Sequence, residues 1–214
     1  MKAYFPGTPD FIMRLFSKYI WRFSLEKKEV FLTFDDGPTP EITRFVLNEL
    51  KKYDAKATFF CIGKNIENEP EIFNAIISDG HTIGNHTQNH FNGWKNDTSV
   101  YLDNVLTCEK SILKHSNQNS DSKLFRPPYG KIKKSQARIL IEKGFKIIMW
   151  TVLSGDFDNK LSKENCLQNV LKNVNNGSII VFHDSVKAAE KVTYVLPKVL
   201  EKLSKQGFIF KAIE

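Results

Sequence analysis

Two adjacent carboxylates, Asp35-Asp36, two histidines four residues apart, His86 and His90, and a further pair, Asp156 and His183, are the side chains here best suited to metal and acid–base chemistry. The i, i+4 spacing of His86 and His90 puts both on one face of a helical turn. Two imidazoles and one carboxylate form a ligand set with room for water, as in a catalytic zinc site. Successive side chains diverge in Asp35-Asp36, so one can ligate while its neighbour does something else, and the residue types leave open which does which. A free carboxylate beside the ligating one can take a proton from water acidified by a metal, and a histidine at another strand end can return one to the leaving group. Arg126 can hold the free aspartate and Asp156 the histidine, which tunes an acid/base pair across the metal. The zincin signature is absent, because Thr87 stands where it needs Glu.

These residues need a scaffold that brings distant positions together. Short apolar, β-branched or aromatic runs alternate along the chain with longer helical patterns. They predict strands at 30–34, 57–61, 82–85, 124–126, 146–152, 178–182 and 208–212, and helices at 41–52, 70–78, 100–114, 134–143, 163–174 and 192–205. Asp79-Gly80, Lys143-Gly144, Asn176-Gly177 and Gln206-Gly207 read as stop signals. Strands alternating with helices mean an α/β fold with a mostly parallel sheet, as a barrel or an open doubly wound sheet. No glycine-rich phosphate loop follows the first strand, which weakens a nucleotide-binding reading. Chemistry on such sheets collects beyond the carboxyl ends of the strands. Asp35-Asp36-Gly37-Pro38, His86, Arg126-Pro127-Pro128-Tyr129-Gly130, Ser154-Gly155-Asp156 and His183-Asp184 all fall there.

With 214 residues, 41% hydrophobic and 26% charged, the chain reads as a globular domain. A chain of this length folds without a metal staple, so a metal would serve function. The net charge of +7 suits an anionic partner, slightly favouring anionic glycans, but the lysines are spread over solvated faces, and nucleic acid is not expected. Cys61, Cys108 and Cys166 are far apart and read as buried small hydrophobes in a reducing compartment. Asp10, Arg14, Lys18 and Arg22 interrupt the apolar start, so no signal peptide or membrane span is expected. Residues 1–29 are read as an extension packing on a single domain at 30–214, with surface contact of 11–23 with a membrane as a further use. A cytoplasmic monomer follows from these readings.

The motifs Thr33-Phe34-Asp35-Asp36-Gly37-Pro38, His86-Thr87-Gln88-Asn89-His90, Arg126-Pro127-Pro128-Tyr129-Gly130, the stretch around Asp156, and Val181-Phe182-His183 occur in one order. In this the chain resembles the NodB-homology polysaccharide deacetylases, carbohydrate esterase family four, over about residues 30–214. The resemblance implies a distorted (β/α) barrel of about seven parallel strands. It also implies a hydrolase that removes N- or O-acetyl groups from an acetylated glycan with one divalent metal, zinc first, with cobalt, nickel or manganese as substitutes. By position, Asp36, His86 and His90 would bind the metal and Asp35 would be the base acting on metal-bound water. Arg126 would fix Asp35, the backbone amide of Tyr129 would bind the oxyanion, His183 would be the acid, and Asp156 would tune it. Phe157 replaces the family's usual Trp in the acetyl pocket and Val181 its usual Leu; Leu153 replaces a polar residue of many relatives. Tyr129, Phe157, Val181 and Trp94 are the expected substrate contacts, although Trp94 and Phe91 can equally just cover the site.

The neighbours take plainer roles. His81 is expected to be structural, His115 a surface residue in a loop at 115–123, Pro127 and Pro128 shapers of a loop, and Trp150 part of the core. Two other functions bear weighing. A cyclic amide or imide hydrolase of this fold tends to alter the Asp-Asp and Arg-Pro-Pro-Tyr-Gly motifs, which are intact here. A non-catalytic glycan-binding domain would lack a ligand, acid or base, and all are present. With little chain for appendages, short oligosaccharides held at few subsites are expected over long polymers.

Overall fold

A computed structural model describes residues 4–116 and 123–214. Most of the expected loop at 115–123 lies outside the described residues, and His115 itself is in the last turn of a helix. The elements run α1 Asp10–Leu15, β1 Glu29–Asp35, α2 Ile42–Lys51, β2 Ala57–Cys61, α3 Gly63–Asn68, α4 Pro70–Ser78, β3 Thr82–Asn85, α5 Thr98–Ser116, β4 Lys123–Phe125, α6 Lys134–Glu142, β5 Phe145–Ile147, β6 Val152–Leu153, α7 Lys163–Leu171, β7 Ile179–His183, α8 Ala189–Lys205 and β8 Ile209–Phe210. The strands pair in parallel in the order β5-β4-β3-β2-β1-β7-β6, with β8 beside the start of β1.

The central strand explains the layers. Val30, Leu32 and Phe34 alternate outward and pack with Val46 and Leu50 of α2 and Leu196 and Leu200 of α8. Phe31 points inward, with Phe60, Leu124, Ile148, Ile179 and Ile213. Both faces are covered, so the strand reads as an unbroken apolar run rather than an alternating one. Thr33 and Asp35 continue the inward row toward the carboxyl end, where the apolar filling stops. Register then aligns the site: Asp35 lies beside His183 across β1 and β7, and Asn85 beside Phe125 across β3 and β4. Gly80, Gly144 and Gly207 directly follow the C-cap residues of their helices with φ between +76° and +86°, the left-handed region that glycine enters at no steric cost. The stop expected at Asn176-Gly177 lies too late: α7 ends at Leu171, and Gly177, at φ +72°, sits in the turn before β7 and donates to the Glu29 carbonyl.

The strand expected at 146–152 is not continuous. β5 pairs with β4 at one sheet edge and β6 with β7 at the other. Residues 148–151 cross between them, and so short a link spans at most about 17 Å. The sheet is therefore curled until its edges nearly meet. The amino-terminal segment closes the seam: Ile20 bridges Ile148, Gly7 bridges Val152 and Arg22 bridges Ser178. Trp21 is buried among Phe145, Ile147 and Met149. The strand expected at 208–212 shortens to Ile209–Phe210. Among the described residues no helix is long and apolar enough to cross a membrane.

Candidate active site

At the carboxyl end of β1, Asp35 meets the most buried cation of the fold. Arg126, which follows β4, is fully buried and donates from Nη1 to Asp35 Oδ1 at 2.7 Å and to Thr33 Oγ1 at 2.7 Å. Its Nε and Nη2 donate to the carbonyls of Ile148 and Met149 at 3.2 and 3.1 Å. Those two carbonyls lie just past the end of β5 at Ile147, where they bond to the guanidinium and not to a neighbouring strand. The guanidinium also lies 4.1 Å from the ring centre of Phe60 and 5.8 Å from that of Trp150, giving the half-buried Trp150 a role beside the buried ion pair.

Asp36 comes next in the chain and turns away. Its φ is +82°, and Asn65 of α3 donates to its carbonyl at 2.7 Å. His86 and His90 approach it from the other side, but not on the helical turn that their spacing predicts. Residues 86–90 are irregular, with Thr87 at φ +66° and His90 at φ +56°. Side chains outside helical geometry replace the missing helical bonds: Asn85 Oδ1 accepts the Thr87 amide, Asn104 Oδ1 the Asn89 amide, and Thr87 Oγ1 the Phe91 amide. The rings still converge, with centroids 5.1 Å apart.

The three side chains fit a divalent cation. The ligand atoms of Asp36, His86 and His90 lie within 4.8 Å of one another. Asp36 Oδ1 is buried without a hydrogen-bond partner and faces His90 Nε2 at 3.2 Å and His86 Nε2 at 3.6 Å. Burial pushes the His86 imidazole down to about 4, so the ring is neutral at pH 7. Its Nδ1 lies 2.8 Å from the Arg126 carbonyl, which can only accept. The proton is therefore on Nδ1, and the Nε2 lone pair points into the cluster, as ligating histidines require.

Across the opening, β7 ends in His183. Its Nδ1 lies 2.7 Å from Asp156 Oδ1, and its backbone amide donates to Asp156 Oδ2 at 2.7 Å. Burial opposes a charge on this ring, but the Asp156 carboxylate outweighs it, with Asp36 and Asp35 adding, and the imidazole is pushed up to about 10. In metal-free protein, NMR titration of His183 should give a pKa near that value, and Asp156→Asn should bring it back toward the ordinary value of about 6.5. Because the folded value is raised, the pair's stabilisation is complete below about pH 6.5 and is lost as pH rises through 10. A wild-type ring titrating between about 6 and 7 would remove Asp156 as its tuning partner.

The other expected contacts are unequally placed. Tyr129 has φ +60°, is 61% exposed, and lays its ring 4.6 Å from that of His90. Phe157 meets His183 edge-on at 5.2 Å. Val181 is 1% exposed, inward on β7 and one pleat below His183. Trp94 is 60% exposed and donates to the Ile132 carbonyl, on the rim. Leu153 is buried at the end of β6. His81 is buried and accepts the Ala57 amide at 3.3 Å. A cleft of about 410 Å³ opens beside the triad, lined by Asp36, Pro38, Asn65, Glu69, His90 and Val186 among others.

Two supporting residues carried no role in the sequence reading. Asp184 is fully buried behind the Asp35–Pro38 turn. It accepts from the Gly37 amide at 3.0 Å and the Thr43 hydroxyl at 2.6 Å, and its own amide donates to the Asp35 carbonyl at 3.1 Å. A Cβ on Gly37 would fall 2.0 Å from Asp184 Oδ2, so this turn requires glycine. The ionisable pair His183-Asp184 at a strand end was the available signal. Asn65 is the other, and it sits on a short helix that no hydrophobic periodicity announced.

Residues 24–148 match the profile of a family described as polysaccharide deacetylase. A peptidoglycan-N-acetylglucosamine deacetylase of Bacillus cereus is 36% identical over 196 residues, covering 90% of this chain and 70% of its own. A chitooligosaccharide deacetylase of Azorhizobium caulinodans is 31% identical over 163 residues, covering 76% of this chain and 77% of its own. Among solved structures, the Bc1960 peptidoglycan N-acetylglucosamine deacetylase in complex with 4-naphthalen-1-yl-N-oxidanyl-benzamide aligns with a TM-score of 0.87 at 33% identity, over 96% of this chain and 95% of its own. With its motifs at the carboxyl ends of one curled parallel sheet, the chain belongs to the polysaccharide deacetylase family.

Proposed function

We propose that this protein hydrolyses the N-acetyl groups of N-acetylglucosamine-type units in a glycan, in a metal-dependent reaction. The observation that carries the reading is the flanking of one three-ligand cluster by two oppositely prepared groups: a carboxylate locked by Arg126 and an imidazole charged by Asp156. Asp36, His86 and His90 would hold the cation. When bound, it supplies Lewis acidity, polarising the acetyl carbonyl and bringing the pKa of water down toward about 7.

The chain's own groups do the rest. Arg126 occupies Oδ1 of Asp35 and holds the carboxylate in one orientation, so its second oxygen takes the proton of the attacking water. The Tyr129 amide donates to the oxygen on which charge develops. His183, its Nδ1 engaged by Asp156, presents Nε2 and gives its proton to the departing nitrogen as the C–N bond breaks. Water is consumed, and acetate and a free sugar amine leave. Phe157 and Val181 would border the acetyl methyl group.

The names of the relatives and the net charge of +7 favour a peptidoglycan-type substrate over neutral acetyl-xylan. The test is acetate release from peptidoglycan fragments, chito-oligomers, acetyl-xylan and a cyclic imide. Release from the first two is expected, abolished by a chelator and restored by zinc. Opening of the imide alone, or turnover indifferent to chelation, would overturn the reading.

A further inference from the structure

The first described residues of the chain end at the acid side of the site. The Leu153 amide donates to the Pro6 carbonyl at 2.8 Å, and Gly7 bridges Val152, so this segment edges β6 and carries Tyr4 past the strand's carboxyl end. There the Tyr4 ring lies against Phe157, centroids 5.2 Å apart and planes at 57°. Its hydroxyl donates to Asp158 Oδ2 at 3.1 Å. Gly155, at φ +81°, makes room for it, because a Cβ there would fall 2.7 Å from the Tyr4 hydroxyl oxygen. Phe157 in turn meets the His183 ring edge-on at 5.2 Å and 68°. Asp156 constrains His183 along its Nδ1 edge, whereas Phe157 bears on the ring itself. Phe157 belongs to no helix or strand, so what orders it is the packing around it, which must offset the entropy lost in holding a loop residue in one conformation.

We propose that Tyr4 is a positioning residue: by clamping Phe157 it fixes the ring of His183 for proton donation, making the amino-terminal segment a working part of the active site. This rests on His183 being the acid of the proposed deacetylation. The family match begins only at residue 24, so Tyr4 stands outside it.

The test is a double-mutant cycle on the zinc-loaded full chain, reading acetate release from chito-oligomers. An aromatic contact of this kind is worth about 1 kcal/mol, so Tyr4→Ala should lower kcat roughly fivefold, with KM within about twofold. Tyr4→Phe keeps the ring and should recover most of that loss. In a Phe157→Ala background Tyr4→Ala should cost nothing further, because the two act in series. Additive losses, or full kcat in Tyr4→Ala, would overturn the proposal. A second readout separates it from the deacetylase reading. The His183 ring signals in the NMR spectrum feel the Phe157 ring current, and they should move in Tyr4→Ala and stay in Tyr4→Phe. Signals unmoved by Tyr4→Ala refute the clamp whatever the activity. A wild type that releases no acetate refutes the deacetylase reading itself.

Discussion

Asp35→Asn is expected to lower kcat by roughly 10²- to 10⁴-fold, the usual cost of losing a positioned general base. The substitution is nearly isosteric, and the amide oxygen can still accept from Arg126 Nη1 where the carboxylate does now, at 2.7 Å. What disappears is an oxygen basic enough to take a proton from water. KM should change little, because the base contributes to the transition state rather than to ground-state binding. Metal content, measured by elemental analysis, should stay at the wild-type level, since Asp35 is not among the three converging ligands. Asp36→Asn should do the opposite and lose the metal along with the activity. If Asp35→Asn keeps more than about a tenth of kcat at full metal content, proton abstraction lies elsewhere.

Arg126→Met is expected to destabilise the protein by about 3–5 kcal/mol, because it strands a buried carboxylate without its counter-charge. Asp35 is 4% exposed and cannot recover solvation by turning outward. The carbonyls of Ile148 and Met149 and the hydroxyl of Thr33 lose their donors at the same time. For a chain of this size, melting should fall by roughly 10 °C. Adding Asp35→Leu should return much of that stability, since exchanging a buried ion pair for apolar groups is often close to neutral, while activity stays absent. Calorimetry on the wild type, the two single variants and the double variant checks this. An Arg126→Met protein within about 1 kcal/mol of wild type would mean that water reaches the pair and screens it.

The side-chain types suited to metal and acid–base chemistry are legible in local sequence. Asp35-Asp36, His86, Arg126 and His183 were legible as candidates because each ends or directly follows a short strand-like run, with Asp156 a few residues beyond another, and a parallel sheet gathers the side chains at the carboxyl ends of its strands. The α/β class came from the same alternation. The division of roles within Asp35-Asp36 was not legible from side-chain type, since both are carboxylates. Only the fold sets one beside Arg126 and leaves the other with an unpartnered oxygen facing two imidazoles. Spacing misread residues 86–90, because a helical turn is the cheapest local way to juxtapose i and i+4, whereas Asn85 and Asn104 offer the backbone other partners from a neighbouring strand and helix. The run at 146–152 has strand composition throughout, yet its middle crosses from one sheet edge to the other and gives two of its carbonyls to the Arg126 guanidinium, a partner 22 and 23 positions away. The anchoring of Gly37 by Asp184 and the reach of Tyr4 to Phe157 join residues 147 and 153 positions apart. Local pattern determined which chemical groups this protein has and that a parallel sheet collects them. Contacts between distant residues decided which groups pair, because burial and hydrogen-bond competition at those distances depend on the whole chain's packing rather than on any window of it.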